Sequence, residues 1–302
     1  MKVKRKCSSN CSQKKGNGNC MVLGSDKLPV QCVGGWVKDK FYFLESYLNA
    51  SCKARAKFAD NGNAVYIDLF SGPGKCIVRD GKEELTNGAL LALSRGEACF
   101  NEAYLIDIEQ ENIDALKQRV DMSVCNVKCD DCNSYCDALI NKLRQKKYRY
   151  HFAFVDPFAP EALSFDTLRK LATFERMDML IHFPIGTIKR NYKFWIDNQE
   201  ETILDAFMGS RAWRDVRNVP PGNIYRFFVD FFIKQLQTIG YPQDGLRYID
   251  NQHFDNNISA VSIKNARNAT MYILVLATKH PLGQKLWTSV LKGNRHKQKS
   301  LF

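Results

Sequence analysis

Val65-Tyr66-Ile67-Asp68-Leu69-Phe70-Ser71-Gly72-Pro73-Gly74-Lys75 runs from an apolar strand straight into a glycine turn. In open α/β sheets, ligands bind beyond the carboxyl ends of the strands, where the strand order reverses. Gly72 and Gly74 leave space for a ligand to approach the backbone, and glycine adopts positive φ freely. The pattern is not G-x-G-x-x-G, so a dinucleotide pyrophosphate site is disfavoured. Asp68 ends the strand, where its carboxylate can accept from a ligand amine or hold the loop.

Outward from this turn the chain alternates. Upstream, Trp36, Lys40, Phe41, Leu44, Tyr47 and Leu48 place a mostly apolar stripe on one helix face. Strand runs at 64–70, 103–108, 124–128, 151–155 and 177–183 are separated by helical patterns at 85–95, 111–120, 133–145 and 160–171. This alternation predicts a parallel sheet with helices on both faces. Residues 187–240 are mainly helical and aromatic and read as a substrate-side insertion. Strand-like runs at 245–254 and 270–278 and a helix from Pro281 complete the chain, so the sheet should end in an antiparallel pair. The expected class is α/β, Rossmann-like, with a mostly parallel seven-stranded sheet.

Three further strand ends carry carboxylates. Asp107 closes Tyr104-Leu105-Ile106-Asp107-Ile108, and an acid there can take both hydroxyls of a ribose. Its alternative is a helix N-terminus, which favours acids. Lys128-Cys129-Asp130-Asp131-Cys132-Asn133 lies beside the same pocket, where Asp131 can contact an adenine amino group or the segment can cap a helix. Phe152-Ala153-Phe154-Val155-Asp156-Pro157-Phe158 aims Asp156 at the cleft, with Pro157 and Phe158 as a stacking wall; the alternative is a plain turn.

The 302 residues suffice for one large α/β domain with a small appendage. With 45% hydrophobic and 25% charged residues, the composition is that of a globular protein with a sizeable core. The net charge of +12 favours anionic partners, nucleic acid first, or simply keeps the surface solvated. No apolar run reaches membrane-spanning length, and Lys2, Lys4, Arg5 and Lys6 precede no apolar segment of a signal peptide. The 11 cysteines, an odd number scattered through predicted strands and helices, imply reduced thiols and a cytoplasmic setting.

The stretch Tyr66–Gly74 resembles motif I of class I S-adenosylmethionine methyltransferases. From Trp36 onward the chain resembles the three-Cys-motif partner protein family. This second likeness rests on the helix at Lys38–Leu48, Asp131-Cys132-Asn133, Val155-Asp156-Pro157-Phe158, and Tyr272–His280 followed by Pro281-Leu282-Gly283. The resemblance implies a Rossmann-like methyltransferase domain over 36–302, with 1–35 a Cys- and Lys-rich tail or small cap. It implies S-adenosylmethionine as cofactor at Asp68, Phe70, Ser71, Gly72, Pro73, Gly74, Asp107, Ile108, Asp131, Cys132 and Asp156. It also implies transfer near Asp156, Pro157 and Phe158, and a protein partner carrying a three-cysteine motif. Asp156-Pro157-Phe158 further resembles the Asp-Pro-Pro-aromatic motif of amino-methyltransferases acting on bases, but with one proline and Ala159 where another ring would stand. The acceptor expected is a nucleic acid or nucleotide amine, with a small-molecule acceptor or a non-catalytic, partner-dependent protein as alternatives. Duplex substrates would require base flipping, and Asp156 is the expected base if one is needed.

Lys189, Arg190, Tyr192, Lys193, Phe194 and Trp195 interleave charge with rings, which suits phosphate tracking and base stacking or core packing. Lys292, Arg295, His296, Lys297 and Lys299 give a basic C-terminus. Cys7, Cys11, Cys20 and Cys32 can supply four thiolates to zinc or remain free in a disordered tail. Cys125, Cys129, Cys132 and Cys136 are spaced for a metal cluster, but they fall on a strand and one helix face and read as buried thiols.

Overall fold

The computed structural model describes residues 20–79, 83–94, 100–242, 259–265 and 268–299. The run before the glycine turn is β3, Ala64–Asp68, buried at every position because it lies mid-sheet between two helical layers. Around it stand β6 (Glu102–Asp107), β7 (Cys125–Cys129), β8 (Tyr150–Val155), β9 (Met177–Phe183), β10 (Ala260–Lys264) and β11 (Thr270–Ala277). Their order is β10-β11-β9-β8-β3-β6-β7. β3 pairs in parallel with β6 on one side and β8 on the other, while β11 runs antiparallel to both β9 and β10. The chain leaves β3 toward β6 and β7 and returns to β8. That reversal opens a crevice at the carboxyl ends beside β3. The expected Rossmann-like fold, a mostly parallel seven-stranded sheet ending in an antiparallel pair with helices on both faces, is the fold observed. The strand expected at 245–254 lies outside the described residues; the strand paired with β11 is Ala260–Lys264.

Alternation along β3 splits the core. Val65 and Ile67 face a layer built from α5 (Cys132–Arg144), α6 (Phe165–Leu171), α7 (Ile185–Ile196), α8 (Ile203–Met208) and α9 (Ile224–Thr238). Ala64 and Tyr66 face α1 (Val37–Ala50), α2 (Cys52–Ala59), α3 (Gly88–Leu93), α4 (Gln110–Lys117) and α10 (Pro281–Lys299). The aromatic residues of 187–240 are largely spent in the first layer. Phe207 stacks on Phe232 at 5.7 Å, and Phe232 lies 4.7 Å from Phe183. Cys132, Cys136, Leu139, Ile140 and Leu143 form the buried stripe of α5, so the thiols pack as small apolar groups.

A second sheet departs from the sequence expectation. β1 (Met21–Leu23), β2 (Pro29–Val33), β4 (Lys75–Val78) and β5 (Glu83–Thr86) pair in the order β1-β2-β4-β5. Two strands thus stand between the glycine turn and the first helix that follows it. Cys76 and Val78 of β4 are buried against Val37 and Phe41. The helix expected from Leu85 begins at Gly88, where the Asn87 side chain caps it by accepting from the Ala89 amide at 3.2 Å. The first described part of the 1–35 segment is therefore woven into a sheet with residues that follow the glycine turn. Among the described residues no helix is long and apolar enough to cross a membrane.

Candidate active site

The carboxyl ends of β3, β6, β7, β8 and β9 open onto one cleft of about 590 Å³, the size of many small-molecule sites. The small sheet adds Gln31, Cys32 and Val33 to its wall, α1 adds Lys40, and α7 adds Thr187 and Arg190.

The glycine turn is shaped by its backbone. Gly72 and Gly74 have φ of 57° and 91°, where a side chain is strained. Asp107 holds this turn from the neighbouring strand. It accepts from the Gly72 amide at 2.8 Å, the Glu109 amide at 2.9 Å and Asn112 Nδ2 at 2.9 Å. Burial pushes its carboxyl above the usual range, against the pull of these donors. Ser71 is fully buried and bonds to the Ile106 carbonyl, so it fixes the turn and does not reach the cleft. Phe70 lines the cleft. Pro73 offers its carbonyl to Arg119.

Asp68 stands behind the turn, 1% exposed, in a small cavity of about 40 Å³ that shares Gln31, Lys40, Phe70 and Asp156 with the main cleft. It accepts from the Phe70 amide and the Tyr66 hydroxyl, both at 3.1 Å. Burial raises its carboxyl to about 7, and the charge of Asp156 adds to this.

Farther along the rim, Asp131 caps α5 by accepting from the Asn133 and Ser134 amides at 3.0 and 2.9 Å. The capping role the sequence leaves open at this segment is thus taken by Asp131, which also lines the cleft. Asn133 instead ties α5 to α6 and the segment before it through Ala162, Ser164 and Thr167. Cys132 lines the cleft, and burial pushes its thiol up to about 12. Ile108 and Phe158, 65% and 64% exposed, present apolar surface to the opening.

Asp156 is the centre of a charged constellation. Its Oδ2 pairs with Lys40 Nζ from α1, and its Oδ1 meets His182 Nδ1 at 2.7 Å. The register explains the second contact. Val155 of β8 lies opposite Ile181 of β9, so Asp156 and His182 follow at one level, side by side. Tyr272 of β11 packs on the His182 ring at 4.1 Å between centroids, and its hydroxyl donates to the Trp36 carbonyl. Burial alone would raise the Asp156 carboxyl, but Lys40 and His182 outweigh it and hold it below the usual range. Burial pulls His182 below the usual imidazole range, with Asp156 opposing and Lys40 adding to the fall.

Not every expected residue arrives here. Arg190 lines the cleft. Lys189 is exposed on α7, and Tyr192 is buried edge-on against Phe228 at 5.5 Å. Trp195 packs on the core of the first layer. Pro157 is buried beside Asp156. Cys7 and Cys11 lie outside the described residues, as do the side chains of Arg295, His296, Lys297 and Lys299; Cys20 and Cys32 line the cleft. Among the described residues no group of three or more His, Cys, Asp or Glu could hold a metal ion. Sequence reading missed Lys40, His182 and Tyr272. The one signal was a histidine and a lysine inside otherwise apolar patterns.

No family model matches the chain, and no curated protein matches it. Among solved structures it is similar to a protein of Legionella pneumophila at 9% identity, covering 83% of this chain and 91% of that one, with a TM-score of 0.45. A Listeria monocytogenes protein assigned as an S-adenosylmethionine-dependent methyltransferase shares 13% identity over 77% of this chain and 99% of that one, with a TM-score of 0.40. The plantazolicin methyltransferase BamL, in complex with a triazolic desmethylPZN analogue and SAH, shares 11% identity over 87% and 78% of the two chains, with a TM-score of 0.37.

Proposed function

We propose that the chain is an S-adenosylmethionine-dependent methyltransferase. The observation that carries this reading is a concentration of carboxylates in a chain of net charge +12. Asp107, Glu109, Asp130, Asp131, Asp156 and Glu161 line the one cleft, and Asp68 stands directly behind it. A cleft so acidic in so basic a protein suits a cationic ligand, and this cofactor is a sulfonium that also carries an ammonium.

The residues fit such a group. The turn from Gly72 to Gly74 and the small cavity at Asp68 suit the amino-acid end. Asp107 and Glu109 suit the ribose hydroxyls, and Ile108, Asp131 and Cys132 suit the adenine. When bound, the cofactor supplies an electrophilic methyl group on positively charged sulfur. The chain's own task is to align an acceptor with that methyl in a site shielded from water, a positional effect of large magnitude.

The acceptor that best suits the cleft is a small molecule, met by Lys40, Arg79, Arg190 and Phe158, which line it beside the carboxylates. The carboxylates would repel a phosphate backbone laid across the opening. A nucleic-acid acceptor is the second reading, favoured by Lys189, Arg190, Lys193 and the 80% exposed Phe194 along α7. The three-Cys-motif partner resemblance adds a protein partner to either reading.

Calorimetric titration with S-adenosylmethionine tests the core of this proposal. Wild-type protein should bind with micromolar affinity, about −8 kcal/mol. Asp107→Ala should weaken binding at least ~10-fold, a loss of ~1.4 kcal/mol, with thermal melts and Asp107→Asn separating lost contacts from lost folding. No heat from the wild type at ligand concentrations of ~100 μM and above overturns it.

A further inference from the structure

Asp156 is held on both sides, one oxygen by Lys40 and the other by His182. His182, held by Asp156 at Nδ1, also lines the cleft. With Asp156 accepting at Nδ1, the ring carries its proton there, and the Nε2 lone pair has no hydrogen-bond partner among the described residues. The ring is fixed from both sides, by Asp156 in the plane and by Tyr272 against its face.

We propose that His182 is the catalytic base of this site, that Asp156 positions it, and that the acceptor atom is a hydroxyl oxygen. The assignment rests on the methyltransfer reading and deepens it. A hydroxyl becomes a strong nucleophile only as it loses its proton, so a base serves it more than it serves an amine, which attacks through its own lone pair. In the step, an oxygen lone pair forms the bond to the methyl carbon as the carbon–sulfur electron pair returns to sulfur. The hydroxyl proton passes to Nε2, leaving an ether and an imidazolium that loses its proton to solvent. Lys40 balances Asp156, so the ring is not pre-charged. Burial and the Lys40 cation keep His182 unprotonated at neutral pH, the form a base needs. The charged and titratable groups against the ring are Lys40 of α1, Asp156 after β8 and Tyr272 of β11.

The test has three arms on the full chain. Selective ¹⁵N-histidine spectra, with the His182 signal identified by its loss in His182→Gln, should show a neutral ring protonated at Nδ1 near pH ~7. A ring protonated at Nε2, or at both nitrogens, overturns the assignment without any acceptor being known. Calorimetry should show S-adenosylmethionine bound equally by wild type and His182→Gln. Transfer of tritiated methyl into a small-molecule extract should fall at least ~100-fold in His182→Gln, with the wild-type label in alkali-stable ethers. Unchanged transfer by His182→Gln, or label found on nitrogen, also overturns it. Wild-type protein that binds the cofactor, shows the expected ring and transfers nothing counts against the methyltransfer reading beneath it. His182→Asn serves in the same arms if the glutamine variant fails to fold.

Discussion

At the scale of single residues, the site depends on places where an added atom has no room. Gly88 opens α3 behind the glycine turn. A Cβ there would stand 2.7 Å from two ring carbons of Phe154 and 3.2 Å from Asp68 Oδ2. Glycine to alanine in a helix ordinarily stabilises by about 0.5–1 kcal/mol. Here the buried Phe154 ring must shift, and overpacking of this kind costs roughly 1–3 kcal/mol. Gly88→Ala should therefore lower stability by about 1–2 kcal/mol in urea melts; a rise in the midpoint would show that the ring yields freely. The residues of the site were only half legible in the sequence. Asp68, Asp107 and Asp156 could be found because each ends an apolar strand pattern, and Asp131 because it follows a short strand run. His182 could not, because its role depends on β9 lying beside β8, and Lys40 sits inside an amphipathic helix 116 residues before its partner. Periodicity assigns a residue to a face but does not name what stands opposite it.

At the scale of elements, the small sheet is the part that the alternating pattern concealed. Its strands are three to five residues long and draw on two segments on either side of β3. Neither half has an apolar face wide enough to announce a sheet alone. One side chain ties this sheet to the glycine turn. Arg119, 4% exposed, donates to both oxygens of Asp26 at 2.8 and 2.9 Å, to the Pro29 carbonyl at 2.8 Å, and to the Pro73 carbonyl. The Arg119 guanidinium holds the Asp26 carboxyl well below the usual range, with Lys75 adding to this. Arg119→Ala takes a charged donor from the Pro29 and Pro73 carbonyls and leaves Asp26 with only Lys75 and the Leu28 amide, a loss of roughly 1–3 kcal/mol. Hydrogen exchange should quicken across 21–33 and 75–86 while β8 and β9 keep their protection. Even exchange throughout would mean that packing against α1 holds the sheet without the clamp.

At the scale of the whole molecule, two buried groups pull stability in opposite directions as the pH changes. His151, 2% exposed at the start of β8, has no hydrogen-bond partner for either ring nitrogen among the described residues, and burial with help from Arg149 lowers it from 6.5 to about 4. Below 6.5 the unfolded chain takes up a proton that the fold refuses until about 4. This group therefore removes ~1.4 kcal/mol of stability per pH unit as pH falls through that window, about 3 kcal/mol in all. Asp68, raised from 3.8 to about 7, does the reverse. Between those values the fold keeps a proton that the unfolded chain has released. Its contribution is present at low pH and is lost as pH rises through about 7, some ~4 kcal/mol over the window. From about 4 to 6.5 the two slopes cancel, so neither shows in the wild-type curve as a slope of its own. Each should emerge when the other is removed. Relative to wild type, His151→Leu should gain stability steadily as pH falls from 6.5 toward 4, because the penalty for protonating the unfolded chain is gone. Asp68→Asn should gain relative stability as pH rises from 4 toward 7, because the cost of ionising or neutralising a buried acid is gone. Urea midpoints taken at half-unit steps across that range measure both differences. Parallel curves for wild type and either variant would mean that water reaches the group and that its burial does not set its protonation.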